Sequence, residues 1–188
     1  MGTLAEAIRL NDIGHEHIVS AIAGTRAPDA QVRQALMEAL EAAEVAGADN
    51  PKWRAESVIA LVNLELFSIL VAEGDPMAYQ KAIQDALDVV GRAFDGSPST
   101  PQEITRLAHV WYSLGFHQQA LTRFQDAVGL YQQASQTALA VQEGQRDIRL
   151  LILIATNIAT CADKLGLPDM AARTRDHVEN LLRLLGKG

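Results

Sequence analysis

Apolar residues recur at three- and four-residue spacing along nearly the whole chain, in segments divided by proline and glycine. This period sets large side chains along one face of a helix and does not alternate as a half-buried strand does. Polar-proline pairs open several segments: Asn50-Pro51, Asp75-Pro76 and Thr100-Pro101. Proline at the first helical position gives up an N–H that would lack a partner there anyway. Thr100 is followed three residues later by Glu103, which predicts a reciprocal cap. Ala27-Pro28-Asp29 and Leu167-Pro168-Asp169 open with an apolar residue in place of the polar cap and put an acid in the first turn. Gly47, Gly74, Gly96, Gly115, Gly144 and Gly166 follow periodic segments and read as stops. Eight helices are expected, over 3–22, 28–46, 51–73, 76–94, 101–114, 117–142, 147–165 and 168–185.

Short connections make successive helices antiparallel neighbours, so the expectation is an all-α fold of four hairpins. The first helices of these hairpins recur about every 48 residues. No flexible linker interrupts them, and one continuous domain over 1–188 is expected. Composition agrees: 48% of residues are hydrophobic and only 5% aromatic, enough apolar side chain to form a core and little that favours sheet.

The stretch Pro101–Ala134 places Ile104, Leu107, Ala108, Trp111, Gly115, Ala120, Phe124 and Ala127 at offsets that resemble a tetratricopeptide repeat. On this alignment Gly115 sits at the turn between two helices, and alanines let the helices approach closely. A second copy over 152–185 carries Ile158, Ala159, Gly166, Ala171 and Val178, with Arg175 departing from the pattern. A third runs through Leu66, Phe67, Leu70, Gly74, Ile83 and Ala86, with bulky Phe67 and Tyr79 where small residues are expected. The wide spacing of the turn glycines is similar to the long-helix variety of the family. The resemblance implies a superhelical stack with a concave groove; the alternative with the same patterning is a closed helical bundle.

The resemblance also implies that His109, Tyr112, Ser113, Thr156, Thr160, Asp163 and Lys164 face that groove and contact a protein or peptide segment. The expected function is a non-catalytic scaffold or adaptor. The alternative is a peptide- or ligand-sensing regulatory domain of a signalling or transcription system. Thr105 and His109 stand where some family members carry a carboxylate clamp, which disfavours a receptor for chaperone tails.

Charge and chemistry narrow the classes further. The net charge of −7 is concentrated in the first hundred residues, and no basic stripe offers itself to nucleic acid. Asp12, His15, Glu16 and His17 could ligate a metal, but His15 and His17 point to different sides of a helix and no second cluster completes the set. His109 and Ser113 lie one turn apart without the oriented base and oxyanion donors a nucleophile needs, and no glycine-rich phosphate loop occurs. No catalytic residue, cofactor or metal is expected. SVIALVNLELFSILVAE is interrupted by Asn63, Glu65 and Ser68 and reads as a core helix, with no membrane partner expected. The single Cys161 and the lack of an export signal point to the cytoplasm. Leu181, Leu182, Leu184 and Leu185 exceed one buried stripe, which suggests a homodimer through residues 168–188.

Overall fold

The computed structural model describes residues 100–186 continuously, with isolated positions between 8 and 84. The backbone gathers into two compact units, Met1–Ser97 and Pro98–Gly188. The helices expected over 3–22, 28–46, 51–73 and 76–94 and the third repeat copy lie outside the described residues as elements. The protein is all-helical, with no strand among the described residues. The second unit holds α1 (Pro101–Ala120), α2 (Phe124–Leu139), α3 (Ile148–Lys164) and α4 (Pro168–Leu185), with a short 3-10 turn at Glu143–Gln145. Each helix packs on the next, and α1 also meets α3.

The last two helices lie within a residue of the expected bounds. Asp147 caps α3, its Oδ1 accepting from Leu150 N–H at 3.0 Å. The helix stops at Gly166, whose φ of 70° is left-handed, and Leu167 N–H returns to Ala162 O at 2.9 Å. That bond takes up a carbonyl the helix would otherwise leave open. Pro168 then starts α4.

The first two helices differ from expectation. α1 does not stop at Gly115 but continues to Ala120, so the segment expected as 101–114 and the start of the one expected as 117–142 form a single helix. Its turn repeats the α3 stop with another residue in the strained place: Thr122 takes φ 59°, and Arg123 N–H bonds Gln118 O at 3.0 Å. A β-branched residue rarely adopts that conformation, so no glycine marks the stop. At its far end α2 finishes at Leu139, not 142. Arg146 closes that end, its Nε donating to Val141 O at 2.8 Å and a terminal nitrogen to Leu139 O at 3.0 Å. A cation here also complements the helix dipole.

Gly115 has a packing role instead of a turn role. It lies in the interior of α1, against the ring of Tyr131 on α2. Ala108, Ala127 and Ala134 are fully buried around the same contact, and Leu150, Leu151, Ile154 and Ile158 of α3 complete the core. Small residues on α1 and α2 leave room for one large ring, which then carries the helix-to-helix contact.

Candidate functional site

Tyr112 and Tyr131 meet with ring centroids 5.7 Å apart and planes tilted by 38°. Beneath them lies a polar node. Gln119 Oε1 accepts from the Tyr131 hydroxyl at 2.8 Å and from the Cys161 thiol at 3.3 Å. Asn157 Nδ2 donates to the Tyr112 hydroxyl oxygen at 3.3 Å and to Leu153 O at 3.0 Å. Three helices are thus joined by side-chain hydrogen bonds within an apolar core, where each satisfied group would cost energy if left alone.

Burial pushes the pKa of both tyrosines up; at Tyr112 the bond from Asn157 opposes the shift. Burial also raises the Cys161 thiol from 9.0 to about 11. The thiol therefore stays protonated at neutral pH and is a poor nucleophile. Its neutral form is favoured by folding, so the stability it contributes is present below pH 9 and is lost as pH rises towards about 11. The native protein should resist iodoacetamide at pH 8 and be alkylated at the rate of urea-induced unfolding; stoichiometric labelling within minutes in buffer would contradict this placement.

The seven residues expected to form one groove separate into two groups. His109, Tyr112 and Ser113 lie on α1 and are only partly exposed. His109 Nε2 stands 3.7 Å from Asp147 Oδ2 at the start of α3, and Tyr112 belongs to the packing around Tyr131. Thr156, Thr160 and Asp163 lie on α3 and border an open depression of about 250 Å³ shared with Arg175, Val178 and Glu179 of α4. Ala159 makes its floor. Lys164 is exposed at the end of α3 and does not line it.

Within this depression Thr156 Oγ1 donates to Ile152 O at 2.8 Å and Thr160 Oγ1 to Thr156 O at 3.0 Å. Their protons are committed to the helix backbone, so towards a partner the hydroxyls act as acceptors. Arg175 pairs with Asp163, and Arg183 with Glu179 at 3.5 Å. The surface thus offers both signs of charge, hydroxyl acceptors and a small apolar floor.

Arg175, Val178 and Glu179 were not among the expected groove residues. The signal for Arg175 was its departure from the repeat: an arginine where a large apolar side chain is expected pairs with Asp163 across the hairpin. Gln119 and Asn157 carry no motif, and only the packing reveals them. Asp12 and Glu16 are exposed, while His15 and His17 lie outside the described residues. Among the described residues no three His, Cys, Asp or Glu side chains gather as metal ligands, and no helix is long and apolar enough to cross a membrane. The chain matches no protein-family model and no curated protein.

Proposed function

We propose that the chain is a non-catalytic helical-repeat module that holds a protein or peptide segment against the face formed by α3 and α4. The observation that carries this reading is the correspondence between its two described hairpins. Thr122 and Gly166 end the first helices in the same left-handed conformation. About 44 residues separate equivalent positions, a spacing within the range of helical repeats. Gln119 and Tyr131 pair across the first hairpin as Asp163 and Arg175 pair across the second. Ala127 and Ala171, both fully buried, are also equivalent.

With the turn at Leu121–Arg123, the residues in repeat order become Trp111, Leu114 and Gly115, then Ala127, Tyr131 and Ala134. This order is similar to the W-x2-L-G and A-x3-F elements of a tetratricopeptide repeat, with Tyr131 in the place of the phenylalanine, about seven residues later than the spacing of Pro101–Ala134 implies. Four such hairpins in a superhelical stack, in the cytoplasm, are the arrangement that fits this reading. In the first hairpin the polar pair lies under α3, with Cys161 bonded to Gln119. In the second, Asp163 and Arg175 stay half exposed beside the open depression. The α3–α4 face is thus the counterpart of the one that α3 covers in the first hairpin.

Thr160→Arg tests the reading, since Thr160 is exposed and its bulkier replacement fills the depression without entering the core. Crosslinking capture from source lysate with wild type and variant should lose one or more partners in the variant; identical partner sets would reject the assigned face. Tyr112→Ala is unsuitable for this purpose, because it would disturb the Tyr131 packing.

A further inference from the structure

We propose that the occupant of the α3–α4 depression is the same face of a second copy, in a two-fold dimer that lays α3 of one protomer along α4 of its partner. The proposal rests on the binding face assigned above and names its partner. Leu181 is buried within the protomer and drops out of the apolar excess of the last helix, but Leu182 and Leu185 remain 50% and 43% exposed. Leu153 on α3 is 47% exposed. On α3, Leu153, Thr156 and Thr160 share one exposed stripe, and on α4 Arg175 and Leu182 share another with half-buried Val178 between them.

The helices run antiparallel, and the Asp163–Arg175 pair marks one end of the face. Leu153 and Leu182 therefore fall towards the other end. A two-fold axis parallel to the helices sets leucine end against leucine end. It also places Asp163 opposite the partner's Arg175, and Arg175 opposite the partner's Asp163. A two-fold axis lying in the interface but perpendicular to the helices would press the leucines onto the ion pair and desolvate it without compensation. The face carries Asp163 and Glu179 together with Arg175 and Arg183, so it complements itself, whereas a partner of one sign would meet like charge. Two-fold contacts of this self-matching kind are the commonest in homo-oligomers.

Light scattering coupled to size exclusion should give a dimer for the wild type at tens of micromolar. Leu182→Glu, at an exposed position, should be monomeric with an unchanged helical circular dichroism spectrum. The orientation is tested by the double variant Asp163→Arg, Arg175→Asp, which keeps both the internal pair and its own dimer. Mixed with wild type, it should form far fewer mixed dimers than random exchange gives, because each mixed dimer sets like charges together. Random exchange overturns the proposed pairing, and so does a dimer that survives Leu182→Glu. A wild-type monomer at a hundred micromolar overturns the second copy as occupant; a capture experiment that still depends on Thr160 would then leave the binding face standing with a different partner.

Discussion

Tyr131→Ala should destabilise the second unit by roughly 3–5 kcal/mol, the range for truncating a fully buried aromatic side chain. Tyr131 is fully buried, and its ring touches Gly115 on one helix while its hydroxyl reaches Gln119 near the end of the same helix. The Tyr112 ring leans on it as well. Removal would open a cavity at the junction of α1, α2 and α3, where surrounding alanines are too small to close it. Tyr131→Phe separates the ring from the hydroxyl. It should cost only about 1 kcal/mol, because Gln119 Oε1 keeps the Cys161 thiol as a donor. Urea denaturation followed by far-UV circular dichroism measures both. An alanine variant within about 1 kcal/mol of wild type would mean that the ring is not the centre of this core.

The hairpin of α3 and α4 could be read from the chain because each of its boundaries is written in residues with a local mechanism. Asp147 accepts a backbone N–H, Gly166 takes the left-handed turn, and Pro168 opens the next helix. The hairpin of α1 and α2 could not. Its left-handed position belongs to Thr122, so the turn has no glycine, and the nearby glycine serves a ring two turns of helix away from that stop. A rule that equates glycine with a stop then places the boundary where a close helix contact lies. The turn at Leu121–Arg123 therefore lies about seven residues beyond the boundary that Gly115 suggests.

The candidate surface was legible where exposure follows helical spacing and illegible where a side chain has two natures. Thr156, Thr160 and Asp163 recur on one face of α3 and do line the depression. Tyr112 has an apolar body and a polar tip, and the same spacing fits a groove or a core. Only its contact with Tyr131 and its bond from Asn157 decide for packing. Leu181 and Leu182 are neighbours with opposite fates, buried and half exposed, because successive helical residues point about 100° apart.

Gly115→Ala should destabilise, although glycine to alanine inside a helix ordinarily gains about 0.5–1 kcal/mol. A Cβ at this position would stand 2.8 Å from both Cδ1 and Cε1 of Tyr131 and 3.3 Å from its Cγ. Those atoms belong to a ring that is held at its hydroxyl and has no exposed side to move towards. Forcing extra volume into such a packed site costs about 1–3 kcal/mol, so once the helix gain is set against it the net effect should be a loss of up to about 2.5 kcal/mol. Gly129 provides the comparison. It lies in the middle of α2, exposed, with nothing within 4 Å of the added carbon. Gly129→Ala should therefore show the helix gain alone and stabilise by about 0.5–1 kcal/mol. The two alanines should move the urea midpoint in opposite directions. The cause can be isolated in the Tyr131→Ala background, where the clash is gone and Gly115→Ala should become neutral or stabilising. That reversal is a coupling between contacting residues, which independent sites do not show. If Gly115→Ala stabilises the wild type, the ring yields to the methyl group, and close approach at Gly115 is not what holds α1 against α2.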